Sequence, residues 1–115
     1  MGTNGSHKCP VEITLDIIGG KWTPLILYYL LQGEKRFNEL RKLLPDVSQR
    51  MLTLQLRELE NYGIVNRVVY AEIPPRVEYS LTEVGKSLEP VLLTMLNWGN
   101  TFVKKKPANN TVALR

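Results

Sequence analysis

The stretch that most constrains this chain runs from Ser48 to Tyr62, Ser-Gln-Arg-Met-Leu-Thr-Leu-Gln-Leu-Arg-Glu-Leu-Glu-Asn-Tyr. Ser48 follows the turn-forming pair Pro45-Asp46, and its hydroxyl is suited to accept an orphaned backbone N–H at a helix start. Leu52, Leu56 and Leu59 recur at i, i+4 and i+7, which sets them on one apolar stripe. The remaining surface at the helix start carries Gln49, Arg50 and Thr53, with Arg57 a turn further on. These side chains read base edges or hold phosphates. A shorter amphipathic helix precedes the stretch, with Phe37, Leu40 and Leu43 predicted inward and Lys35, Arg36, Arg41 and Lys42 wet. Two such helices joined by Leu44-Pro45-Asp46-Val47 form a helix-turn-helix pattern, with Ser48 to Tyr62 as its recognition helix.

What comes next raises the value of that pattern. Gly63 closes the helix, and from Asn66 to Ile73 the residue types become strand formers, including Val68, Val69 and Tyr70. Pro74-Pro75 breaks the run, and Val77, Tyr79 and Leu81 then alternate along a returning strand. Strand, turn and strand directly after a recognition helix predict a two-stranded wing, with Arg76 near its tip.

Around this unit the chain supplies one helical layer on each side. Pro10 suits the first turn of an opening helix, Val11, Leu15 and Ile18 give it an apolar face, and Gly19-Gly20 stops it. Thr23-Pro24 repeats the device as a threonine cap, and Leu25 to Gln32 is apolar enough for a central helix ending at Gly33. Thr82-Glu83 caps a last helix in which Val84, Leu88, Val91, Leu92, Met95, Trp98 and Phe102 keep a 3.6 period over about five turns. Pro90 should kink it or begin a second segment. Trp98, Leu96 and Phe102 exceed what one domain needs to cover. The surplus fits a second copy in a twofold dimer, or else a helix packed wholly on its own domain.

The 115 residues make one domain. Residues 1–8 are expected as a flexible lead, part of it open to being an expression remnant, residues 9–105 as the winged domain, and residues 106–115 as a flexible tail. The class is mainly α with a small β-hairpin, an α+β winged helix-turn-helix. A net charge of +4 suits an anionic partner without requiring one. No apolar run approaches the roughly 18 residues of a membrane span, and no signal peptide is evident, so a cytoplasmic protein is expected. The single histidine, His7, leaves no His-based triad or metal site, and the single cysteine leaves no disulfide framework. Ile18-Gly19-Gly20-Lys21 lacks P-loop spacing. Neither enzyme activity nor any cofactor is expected.

Several residues keep two readings. Arg50 fits a bidentate guanine or phosphate contact, against a merely solvated arginine at a helix start. Gln49 and Thr53 are also common surface residues, and Arg76 is a minor-groove or phosphate contact or a solubilising charge. Cys9 stands at a helix start beside His7 and Lys8, a setting that activates thiols, with Glu12 opposing; it is equally a small buried apolar residue. A winged helix also serves in some proteins for protein contacts alone, which is the alternative to DNA binding.

The strings Cys9-Pro10-Val11-Glu12, Ile18-Gly19-Gly20-Lys21-Trp22, Arg50-Met51-Leu52-Thr53, Gln55-Leu56-Arg57-Glu58-Leu59-Glu60 and Pro74-Pro75-Arg76-Val77-Glu78-Tyr79-Ser80-Leu81-Thr82-Glu83 closely resemble segments of the HxlR-type transcription regulators, relatives of the MarR group. The similarity runs from about Cys9 to Phe102. It implies a homodimer that binds operator DNA, double-stranded and roughly palindromic, more often as a repressor, with the first and last helices forming the dimer. Val11, Leu15, Val91, Met95, Trp98 and Phe102 are the matching interface positions, and Lys35, Arg36, Ser48, Gln49, Arg50, Thr53, Arg57 and Arg76 the DNA-facing ones. Some members sense oxidants or electrophiles through a cysteine just before the first helix, where Cys9 stands. Lacking a second cysteine, Cys9 would need the other subunit's thiol or a small-molecule effector. Asp46 replaces a frequent glycine in the turn, and Tyr62-Gly63 a frequent Asp-Gly; aspartate tolerates left-handed backbone, so the turn should survive.

Overall fold

A computed structural model of the chain describes residues 8–106. Residues 1–7 and 107–115, which hold His7 and nearly all of the expected lead and tail, lie outside the described residues. The elements follow one another as α1 (Pro10–Ile18), α2 (Thr23–Leu30), β1 (Lys35–Arg36), α3 (Phe37–Leu43), α4 (Gln49–Asn61), β2 (Val65–Tyr70), β3 (Arg76–Leu81), α5 (Glu83–Lys86) and α6 (Glu89–Lys105).

The core lies where α2, α3, α4 and the sheet meet. Ile26, Leu27, Leu40, Leu52, Leu56 and Leu59 are its largest fully buried side chains. All three leucines of the α4 stripe are therefore inside, each worth roughly 1.5 to 3 kcal/mol of burial. The start of α4 is fixed as expected, since the Ser48 Oγ accepts the Met51 N–H at 3.0 Å. Its end is a Schellman turn. Gly63 takes φ 75°, its N–H donates to the Glu60 carbonyl at 2.9 Å, and the Ile64 N–H donates to the Leu59 carbonyl at 2.9 Å. A side chain at position 63 would be strained in that left-handed geometry.

The turn of α4 is locked to the next helix. The Thr82 hydroxyl donates to the Gly63 carbonyl at 2.6 Å and accepts the Gly85 N–H at 2.9 Å. Gly85 is buried, and a Cβ there would collide with the Ile64 carbonyl.

Three expectations are revised, and one left with two outcomes is decided. The wing is three-stranded and antiparallel, in the order β1-β3-β2, because Lys35 and Arg36 pair with Tyr79 and Glu78. Two cationic residues carry no strand pattern, so this edge is a product of the ladder on β3. In α3, Leu43 is exposed and Leu44 is buried. At 100° per residue, Phe37, Leu40 and Leu44 share a face that Leu43 misses. Thr23 is the first residue of α2 and not its cap, which is Trp22, and the Thr23 side chain is buried. Pro90 begins a second segment: α5 ends at Lys86, and the proline occupies the first turn of α6, where a missing N–H costs little.

Candidate nucleic-acid interface

With Leu52, Leu56 and Leu59 turned into the core, the 3.6-residue period leaves Gln49, Arg50, Thr53 and Arg57 on the outer side of α4. Gln49, Arg50 and Arg57 are exposed, and Thr53 is half-buried. The Thr53 hydroxyl donates to the Gln49 carbonyl at 2.9 Å, which fixes its rotamer. Arg41 of α3 donates from Nη1 to the Gln49 Oε1 at 3.4 Å, a long bond that ties the two helices of the motif across the turn. Gln49, Arg50, Thr53, Leu54 and Arg57 line an open groove of about 580 Å³. Ser48 accepts through Oγ, which leaves its hydroxyl hydrogen to donate outward.

The other sequence-predicted cations are less uniform. Lys35 is half-buried and Arg36 exposed, both in β1. The Arg36 Nε lies 3.8 Å from the Glu78 carboxylate, a loose pair. Arg76 is held much more firmly. Its Nη2 is 3.1 Å from Glu72, its Nε 3.3 Å from Glu78, and its guanidinium carbon 4.2 Å from the Tyr70 ring centroid. By contrast, no carboxylate lies within ion-pair distance of Arg50 or Arg57 among the described residues.

One cation of this surface was missed from the sequence. Arg67 of β2 lines a second groove, about 560 Å³, together with Phe37, Gln49, Thr53, Arg57, Glu60, Val77 and Tyr79. Strand parity was the available signal: Arg67 is two residues from buried Val65 and faces buried Tyr79 across the ladder.

A family model described as HxlR-like helix-turn-helix matches residues 17–107. The chain belongs to this family. The HxlR-like chain is thus a helix-turn-helix transcriptional regulator, and its fold is the winged helix. It is 64% identical over 94 residues to the uncharacterised HTH-type transcriptional regulator YdeP of Bacillus subtilis strain 168, spanning 82% of this chain and 73% of YdeP. It also superimposes on the redox regulator HypR. For the oxidised form of HypR the TM-score is 0.79 at 56% identity, covering 90% of this chain and 100% of that one. For the reduced form it is 0.80 at 58% identity, covering 82% and 93%.

Away from α4, α1 and α6 carry the residues expected from the sequence at a dimer interface. Val11, Leu15, Val91, Met95, Trp98 and Phe102 are all exposed, Trp98 at 67% and stacked on Phe102 with ring centroids 5.2 Å apart. Between the two helices runs a mostly apolar groove of about 480 Å³ whose walls include Val11, Leu15, Val91 and Met95.

Cys9 is exposed and is the N-cap residue of α1; its backbone N–H donates to the Glu12 carboxylate at 2.9 Å. Lys8 turns to Asp16 at 2.6 Å, and that hydrogen bond and charge hold the ammonium above its ordinary pKa. The cation next to Cys9 in sequence is therefore engaged by Asp16, about two turns along α1. No helix among the described residues is long and apolar enough to cross a membrane.

Proposed function

We propose that this regulator binds a roughly palindromic operator in double-stranded DNA as a homodimer and represses transcription by occupying it. The observation that carries the reading is the outer face of α4, where Gln49, Arg50, Thr53 and Arg57 stand together with no carboxylate among the described residues paired to the arginines. Arg50 sits at the second helical position, the end that enters a major groove, and with Gln49 and Thr53 it reads base edges. Arg57, Ser48, Lys35 and Arg36 hold the phosphate backbone.

The dimer is supported by the apolar side chains left exposed on α1 and α6, Val11, Leu15, Met95, Trp98 and Phe102 among them. A twofold axis through that surface would set two α4 helices in successive major grooves. The protein-only reading has no feature of its own in its favour, since it leaves the unpaired arginines without a role.

The resemblance to a redox regulator extends the reading to Cys9, which is exposed at the edge of α1. The chain holds one cysteine, so an oxidant would link the Cys9 sulfur to a thiol from outside the chain, either small-molecule or from the second copy. Such a link at α1 would alter the packing that spaces the two reading heads. A Cys9→Ser protein that still lost its operator on treatment with a disulfide oxidant would end this part.

Selection from random duplex DNA with reduced protein tests the whole. The expected result is an inverted repeat with half-sites about one helical turn apart. Recovery of no motif by a protein that binds no DNA at any salt would contradict it.

A further inference from the structure

We propose that Arg57 of α4 and Arg67 of β2 grip one DNA backbone phosphate in the groove between recognition helix and wing, while Arg76 braces the wing and does not touch DNA. This deepens the DNA-binding reading above and rests on it.

Strand parity separates the two wing arginines. Val65 pairs with Leu81, and both are buried, so that face of the β2–β3 ladder is the inner one. Side chains alternate across a strand, so the next pair on the inner face is Arg67 with buried Tyr79. The alternate pairs, Asn66 with Ser80, Val68 with Glu78 and Tyr70 with Arg76 at the wing end, fall on the outer face. Arg67 and Arg76 are therefore on opposite sides of one hairpin, and only Arg67 shares a groove with α4.

The charge environments differ as sharply. Arg76 packs on Tyr70 and faces two carboxylates, Glu72 at 3.1 Å and Glu78 at 3.3 Å, which leaves little charge for a third anion. Neither Arg57 nor Arg67 has a carboxylate within 4.0 Å among the described residues, although Glu60 also lines the groove. Two guanidinium groups thus flank a groove of about 560 Å³ whose floor includes Val77 and Tyr79. An apolar floor cannot screen them, and a guanidinium offers the paired donors that match phosphate oxygens. A duplex seated on α4 would bring its backbone to this groove and supply the missing anion.

The test is the salt dependence of binding to a random-sequence duplex of about 30 base pairs, long enough for two half-sites. A phosphate contact contributes about 0.9 to the slope of log affinity on log salt. Arg67→Ala, present twice in a dimer, should lower the slope by nearly two and weaken binding roughly tenfold at moderate salt, equally for any sequence. Arg67→Lys should keep most of the slope, because it keeps the charge. Arg76→Ala should leave the slope unchanged even where it lowers the melting temperature. A full slope in Arg67→Ala, or a reduced slope in Arg76→Ala alone, overturns the proposal while leaving DNA binding intact. Failure of the unaltered protein to bind removes both. Should Arg67→Ala not fold by circular dichroism, Arg67→Gln replaces it with the same expected slope.

Discussion

Helices α4 and α6 are both amphipathic, yet the fold satisfies them to opposite degrees. In α4 the apolar stripe is spent inside the domain, with Leu52, Leu56 and Leu59 all at 1% exposure or less. What remains exposed is mostly polar and cationic, with Met51 and Leu54 the apolar exceptions. In α6 only Leu92 is buried, while Met95, Trp98 and Phe102 remain in water. What remains unmet there is apolar. A helix whose leftover surface is guanidinium and amide calls for an anion with hydrogen-bonding edges, and one whose leftover surface is indole and phenyl calls for another apolar face. One amphipathic pattern in the sequence therefore points to two different partners, and the distinction comes from which half the domain itself covers.

Substitutions can break that contrast at either helix. The largest effect is expected inside α4: Leu56→Ala should cost about 2 to 5 kcal/mol of folding stability, read from urea unfolding at fixed protein concentration. At the α6 surface, Trp98→Ala should leave the single chain folded but weaken self-association by roughly 2 kcal/mol or more, as central aromatic anchors do. Sedimentation at graded concentration measures it, and an unchanged dimer would remove Trp98 from the interface. On the polar side of α4, Arg50→Ala should cost roughly 1 to 3 kcal/mol of binding to the selected operator with little loss on unrelated duplex. Equal affinity for the operator would strike Arg50 from the reading residues. The smallest effect belongs to the cap: Ser48→Ala should lower stability by about 1 kcal/mol through the orphaned Met51 N–H. A loss confined to DNA affinity would instead mean that the hydroxyl acts mainly on phosphate.

The parts legible in the sequence were those set by local chemistry. The i, i+4, i+7 leucines located α4, Ser48 and Gly63 marked its ends, and Pro74-Pro75 marked the wing turn. Less legible were features that depend on a neighbour across the fold. Lys35 and Arg36 form a strand only because β3 offers its edge. Thr23 resembles a cap but is drawn into the core, which shifts the helix start by one residue. For the candidate site, the exposure of Gln49, Arg50 and Arg57 on α4 followed from the helical period, whereas the place of Arg67 in the groove beside α4 did not. Arg76 draws attention through its place beside the tip, while its pair with Glu72 forms only once the turn brings the two together. Arg67 sits in a run of strand formers where its side of the sheet decides its use. Counting in twos from Val65 would have placed it opposite α4.

Mass settles the central contrast most directly. Native mass spectrometry of the reduced protein should find two chains of 13.2 kDa each in the free state. With the selected duplex added, two chains on one duplex are expected, lost together on raising the salt. A single chain throughout, free and bound to DNA, would contradict the claim that the apolar face of α6 is covered by a second copy.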